Sequence, residues 1–222
     1  RMAAGLASAP KKPPSNGHFE ARNAYTDYLI IGAGPAGLLA TLITGRSGEK
    51  VFLVDQNSEA GGSLLNSNLN INNRPAMHWV ENTVKEISGM SNVTHLQDST
   101  AWAYREHNLV VVNEREVANI SIIERSWRIR AKKVIIATGA IERPIVFANN
   151  DRPGVMLASA VQTFVNRYAV KPGENIVLFT NNDSVYSYID DLKDAGINIL
   201  VIVDSRKKIP NTVLAKAKSV RV

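Results

Sequence analysis

Three glycines, Gly32, Gly34 and Gly37, stand at a spacing suited to holding a pyrophosphate. They lie in Ile31-Gly32-Ala33-Gly34-Pro35-Ala36-Gly37, directly after the apolar run Tyr28-Leu29-Ile30 and before the apolar, proline-free stretch from Leu38 to Ile43. This order reads as a strand, a glycine turn and a helix start. Gly32 makes the tight turn, Gly34 lets the backbone approach the phosphates, and Gly37 lets the helix pack closely on the strand. The phosphates then sit on the helix N-terminus, whose unpaired N–H groups and positive dipole end favour an anion. A second apolar run, Val51-Phe52-Leu53-Val54, ends in Asp55, 18 residues after Gly37. A carboxylate there can hydrogen-bond an adenosine ribose and would repel the extra phosphate of NADP, so the motif favours NAD or FAD.

Two more small-residue turns fall near this motif. In Ala60-Gly61-Gly62-Ser63-Leu64 the glycine pair, with Gly62, would let the backbone pass close to a cofactor. The run Lys133 to Ala140 reads as a buried strand that returns beside the first one and brings Thr138 and Gly139 near the dinucleotide. Other reactive residues form no constellation. His18, His78, His95 and His107 have no metal-ligand spacing to one another or to carboxylates. Ser63 and Ser184 have no adjacent histidine base or nucleophile-elbow pattern. Glu142-Arg143 reads as a local ion pair ahead of a lining for a subunit interface, and Trp79, Trp102 and Trp127 as core or interface aromatics. No residue is assigned as catalytic.

The elements that position these residues follow a strand-helix alternation. Residues 1–24, rich in Ala, Lys, Pro, Ser and Asn, read as a linker, and the opening Arg1 suggests a piece of a longer polypeptide. Residues 25–172 read as a dinucleotide-binding domain: a first strand-helix-strand unit from Tyr25 to Asp55, and a helix from Pro75 to Ser88 with Met77, Val80, Val84 and Ile87 on one face. Short strands follow at Val93 to Leu96, Leu109 to Val112, Val117 to Ile123 and Trp127 to Ile129, forming an antiparallel meander that crosses over the parallel sheet. Residues 173–222 begin a second unit: strand Ile176 to Phe179, helix Ser184 to Ala195, strand Ile199 to Val203, then Asp204. Its loop, Thr180-Asn181-Asn182-Asp183-Ser184, has no glycine, and Asp183 would repel a pyrophosphate. The fold class is therefore α/β, a Rossmann-like FAD/NAD(P)-binding fold with a parallel sheet and an antiparallel meander, followed by a second, truncated nucleotide-fold unit.

Composition narrows the chemistry. With 222 residues, 45% of them apolar and 21% charged, the chain can bury a real core. Zero cysteines exclude, within this chain, a disulfide, a thiolate zinc site, a cysteine-held iron-sulfur cluster and the redox dithiol that disulfide reductases place beside a flavin. The formal charge of +6 is scattered apart from Arg206-Lys207-Lys208 and the final Lys216, Lys218 and Arg221, which reads as solvated surface and not as a nucleic-acid footprint. No apolar run approaches the roughly 20 residues needed to span a membrane. These features point to the cytoplasm.

Two nucleotide-type units joined through an Ala-Thr-Gly strand resemble the two-dinucleotide-binding flavoprotein superfamily. A narrower likeness rests on Ala137-Thr138-Gly139-Ala140-Ile141-Glu142-Arg143-Pro144, on Phe147-Ala148-Asn149-Asn150-Asp151-Arg152-Pro153-Gly154-Val155-Met156-Leu157-Ala158, and on Phe179-Thr180-Asn181-Asn182-Asp183-Ser184. Together these resemble the alpha subunits of heterotetrameric sarcosine oxidases. The resemblance implies an alpha chain assembled with beta, gamma and delta subunits that oxidatively demethylates sarcosine to glycine, with O2 as acceptor and hydrogen peroxide as product. Tetrahydrofolate takes the one-carbon unit at a C-terminal domain, FAD and the amine-oxidising site belong to the beta subunit, and FMN lies at the alpha-beta interface. It further implies that this region holds NAD+ through Ala36, Asp55, Gln56, Asn57 and Ser63, with the backbone of Ala101 against the adenine. Two other readings stand beside it: an FAD-dependent amine, amino-acid or opine dehydrogenase subunit, and a non-catalytic nucleotide-fold scaffold.

Overall fold

The computed structural model describes residues 18–115, 122–218 and 220–222. Four parallel strands, β1 (His18–Ile31), β2 (Val51–Val54), β5 (Val93–Leu96) and β8 (Ile122–Ile136), form one side of a six-stranded sheet in the order β5-β2-β1-β8-β7-β6. The antiparallel β6 (Ser99–Arg105) and β7 (Leu109–Arg115) complete it. A two-residue hairpin, β3 (Asn70–Ile71) with β4 (Arg74–Pro75), precedes α2 (Ala76–Ser88).

All four residues of β2 are buried, as befits a parallel strand covered on both faces. One cover is α1 (Pro35–Arg46) with α2, whose Val80 and Ile87 are buried against Leu38, Leu42 and Leu53. Pro35 suits the first turn of α1, where no intrahelical donor is needed, while Pro75 sits at the N-cap of α2. The other cover is the sheet itself. Phe52, Val54 and Leu96 pack with Val110, Val112, Trp127 and Ile129, and the Phe52 and Trp127 rings meet edge-on with centroids 5.8 Å apart.

Two departures from the sequence reading share a cause. Residues 18–24 are not linker but the first half of β1, and β8 is one continuous strand where separate strands at Trp127 to Ile129 and Lys133 to Ala140 were expected. The two long strands pair in parallel along their whole length, and charged residues occupy positions that an alternation test scores as solvent-facing. The meander therefore continues the parallel sheet through β8 and is not a separate layer. Most of the strand expected at Val117 to Ile123 lies outside the described residues. Trp127 is in the core and Trp79 packs against it, but Trp102 is 59% exposed.

Beyond β8, residues 137–157 run without regular structure to α3 (Ala158–Tyr168). Glu142 is not paired with Arg143: its two carboxylate oxygens accept the N–H groups of Ala158 and Ser159 (3.3 and 2.8 Å) and so cap α3. Then β9 (Asn175–Thr180) and β10 (Asn198–Asp204) pair in parallel, with α4 (Ile189–Asp194) on one face and α5 (Asn211–Leu214) near the end. The helix expected from Ser184 to Ala195 is divided, with a 3-10 turn at Ser184–Ser187 before α4. Asn182 causes the division by accepting the N–H and hydroxyl of Ser184, which tightens the chain there.

Candidate dinucleotide site

The glycine turn lies where β1 ends, between the carboxyl ends of β2 and β8. Gly32 has φ +104°, and its N–H donates to the Val54 carbonyl at 2.7 Å. A side chain on Gly32 would strike the Ala137 carbonyl and come within 3.2 Å of the Thr138 nitrogen, so the β8 exit is pressed against the turn. Gly37 is pressed on it from the other side. Its missing side chain would overlap the Gly32 carbonyl group, so the close packing is between α1 and the turn itself. The glycine pair also belongs here: Gly61 N–H donates to the Ala33 carbonyl at 2.8 Å, and Gly62 has φ +54° and backs onto the Cα of Gly34. Of the two β8-exit residues, Thr138 is thus brought to the turn, while Gly139, with φ +72°, faces open space.

The first turn of α1 has no side-chain cap and no acidic residue, and Ala36 is exposed there. It therefore offers free N–H donors to an anion with nothing opposing the charge. Ser63 is exposed in the 3-10 turn Gly62–Asn66 that follows the glycine pair.

Asp55 is only 8% exposed. One carboxylate oxygen accepts the Ala33 N–H of the glycine turn, and the other accepts the Asn57 N–H at 2.7 Å. Asp55 therefore braces the turn to the chain leaving β2, with a second lone pair on each oxygen left for a hydroxyl. Gln56 and Asn57 beside it are exposed. His95, next to this carboxylate on β5, is held below its ordinary pKa by burial. Ala101 sits on β6, half-buried against the core, with its backbone paired to Val112.

Three residues absent from the sequence reading meet Gln56 at the end of β2. Asp98, Thr100 and Arg115 line with it a groove of about 230 Å³. Nothing local announces them, because the β5–β6 turn and the end of β7 are brought to β2 only by sheet pairing.

The second unit is built differently. Arg206 reaches Asp183 at 2.6 Å and Asp204 at 2.7 Å, and Tyr186 donates its hydroxyl to Asp204 at 2.9 Å. The loop after β9 is thereby tied to the end of β10 by side chains, in the region where the first unit keeps bare backbone. The Arg206 hydrogen bonds hold the Asp204 carboxyl at about 2, below its ordinary 3.8. The Asp204 side chain is 1% exposed, so the clamp contributes about 2 kcal/mol. The contribution is present above the unfolded value of 3.8 and is lost as pH falls through about 2. Acid unfolding of Arg206→Gln, followed by circular dichroism, should therefore begin at higher pH than in the parent; coincident curves would mean the clamp carries no stability.

Among the described residues no group of His, Asp and Glu could hold a metal ion, and no helix is long and apolar enough to cross a membrane. The pyridine nucleotide-disulphide oxidoreductase family matches residues 26–177. The sarcosine oxidase alpha chain of Rhizobium meliloti (strain 1021) is 42% identical over 227 residues, covering 100% of this chain and 23% of that protein. One of the opine oxidase subunits of Agrobacterium tumefaciens (strain Ach5) is 28% identical, covering 82% and 37%. The crystal structure of L-proline dehydrogenase from P. horikoshii superposes with a TM-score of 0.65 at 26% identity, covering 86% of this chain and 38% of that one. The chain thus spans under a quarter of the length of the sarcosine oxidase alpha chain it matches. It belongs to the pyridine nucleotide-disulphide oxidoreductase family within the two-dinucleotide-binding flavoproteins, and its sequence resembles the alpha chain of sarcosine oxidase.

Proposed function

We propose that this chain is the dinucleotide-binding region of a sarcosine oxidase type alpha subunit, and that it holds NAD+ in the glycine turn. The stack of Gly32, Gly34, Gly37 and Gly62 supports this most directly, because it keeps backbone donors bare beside an uncapped helix start. Ala36 and its neighbours then meet the pyrophosphate, and Asp55 with Gln56 and Asn57 the ribose. Ser63 and Thr138 flank the phosphates, Gly139 lies beyond them, and the Ala101 backbone lies toward the adenine. In this proposal residues 25–172 form the binding domain and residues 173–222 begin a second unit that carries no dinucleotide.

The assembled reaction is sarcosine, O2 and tetrahydrofolate giving glycine, hydrogen peroxide and methylenetetrahydrofolate. The N-methyl carbon is oxidised as two electrons and two protons pass to O2. The role of this chain is binding and assembly; the amine-oxidising site with FAD belongs to the beta subunit, FMN to the interface between them, and gamma and delta complete a cytoplasmic complex. Nucleotide released by acid from the purified complex should include NAD+ at one per chain. Asp55→Ala should lower NAD+ affinity roughly hundredfold, since it removes the brace as well as the ribose contact. The likeness to an opine oxidase chain favours a second reading in which the same turn holds FAD. Release of FAD alone, or a flavin absorbance band from this chain separated from its partners, would replace the first reading with the second.

A further inference from the structure

The second unit has no glycine in its own loop, yet α3, the helix that leads into it, grips the loop carrying Gly61 and Gly62. Ala158, Val161 and Val165 of α3 pack against the core of Leu178, Ile189, Leu192 and Ile199, so the helix is seated on the second unit. Its polar residues reach the other way. Arg167 pairs with Glu59 at 2.7 Å, just before the glycine pair. Asn166 donates to the carbonyl of Asn66 at 2.9 Å, at the last residue of the 3-10 turn that follows the pair. Two consecutive residues of α3 thus hold both ends of residues 59–66. The middle of that loop leans on the glycine turn, Gly61 through its N–H on the Ala33 carbonyl and Gly62 on the Cα of Gly34.

The two holds differ in weight. The side chains of Arg167 and Glu59 are 32% and 57% exposed, so that pair is screened by water and contributes little. Asn166 is instead the centre of a closed network. The amide that bonds Asn66 also donates to Asp191 of α4 at 2.7 Å, which uses both of its hydrogens. Its oxygen accepts from Asn68 at 3.2 Å, and Asn68 donates to Asp191 at 3.3 Å. Gln162, one turn earlier on α3, donates to the same carboxylate at 2.9 Å, a bond between α3 and α4 that does not reach the loop. Hydrogen bonds to a charged acceptor are the stronger kind, so Asp191 fixes the Asn166 amide in the orientation that serves Asn66.

We infer that Asn166 and Asp191 are positioning residues for the dinucleotide: through them the second unit sets the glycine-pair loop against the glycine turn, and nucleotide binding and docking of the second unit reinforce each other. The inference rests on the dinucleotide reading of the glycine turn. It gives the unit that carries no dinucleotide a part in holding one. Without Asn166 the Asn66 end of the loop is released, and Gly62 and Ser63 are free to move off Gly34, where the phosphates would be met. The coupling is reciprocal by linkage, so whatever docking adds to nucleotide affinity, bound nucleotide adds to docking.

The test uses the full-length polypeptide in its complex, freed of nucleotide and titrated with NAD+ in a calorimeter. Asn166→Ala should lower the affinity about tenfold, within the usual range of coupling between sites. Alanine is a better helix former than asparagine, so α3 itself is not weakened by the change. Gln162→Ala is the control: it removes a bond to the same carboxylate away from the loop and should leave the affinity unchanged. Amide hydrogen exchange supplies a readout that a merely structural contact would not move. In the native protein NAD+ should slow exchange across α3 (Ala158–Tyr168) about tenfold, the same factor by reciprocity, and in Asn166→Ala it should not. Equal affinity in the native protein and Asn166→Ala, an equal loss in Gln162→Ala, or exchange in α3 that NAD+ leaves unaltered in the native protein or slows as much in Asn166→Ala overturns the coupling, while leaving the glycine turn as a dinucleotide site. Failure of the native protein to bind NAD+ overturns the dinucleotide reading and the coupling with it.

Discussion

Replacing Gly37 with alanine is expected to abolish dinucleotide binding and to destabilise the protein by about 3 kcal/mol or more. The added methyl would overlap the Gly32 carbonyl oxygen and approach its carbonyl carbon to 2.9 Å, and both obstacles are backbone. The turn cannot retreat. Gly32 is held on its far side by Ala137 and through its N–H by Val54, and Gly34 is backed by Gly62. Only α1 can move, and its retreat carries the Ala36 end of the helix away from the place where phosphates would be met. Gly48→Ala is the matched control. Gly48 follows the same helix at φ +80° with nothing within 4 Å of an added methyl, so it should cost only the 1–2 kcal/mol of a left-handed alanine and leave binding intact. Urea unfolding and the nucleotide content of the purified protein check both variants. Equal losses in the two would show that backbone conformation, and not the seating of α1 on the turn, is what matters.

The same comparison shows why the turn was legible in the sequence and its surroundings were not. Gly32 to Gly37 and the run ending at Asp55 lie within one strand-helix-strand unit, and their spacing carries the geometry. The packing of Gly62 against Gly34 was only half legible: the glycine pair marked a close approach, but the partner it approaches is the other glycine turn. Glu142 beside Arg143 invited a local ion pair, whereas its partner is a helix start 16 residues away that lacks a cap of its own. Asp98 and Arg115 are 17 positions apart, one in the β5–β6 turn and the other at the end of β7, and only the order of the sheet joins them. The first half of β1 was hidden for a related reason. Its Glu20 and Arg22 look solvent-facing, and their partners lie on β8, more than a hundred residues later.

Those partners predict the second large effect. Arg125→Ala should destabilise the protein by about 3 kcal/mol, measured as a shift in the urea midpoint at unchanged slope. Arg125 on β8 is 6% exposed at its side chain, and its guanidinium donates to Glu20 on β1 at 2.7 Å and to Glu114 on β7 at 3.0 Å. It also stands 5.5 Å from the centre of the Trp127 ring, while Trp127 donates its indole N–H to Glu114 at 2.7 Å. One side chain thus joins three neighbouring strands. Removing it leaves the Glu114 carboxylate, 14% exposed, with the indole N–H as its remaining hydrogen-bond donor in the cluster, while Arg22, over the Trp127 ring, is paired with Glu20. The cost of an unpaired buried charge exceeds the modest net gain of the pair, which is why truncating one partner is severe where replacing the whole cluster need not be. The triple replacement Glu20→Leu, Glu114→Leu and Arg125→Met should accordingly recover most of the loss. If the triple variant is no more stable than Arg125→Ala alone, the cluster contributes by packing against Trp127 and not by satisfying charge.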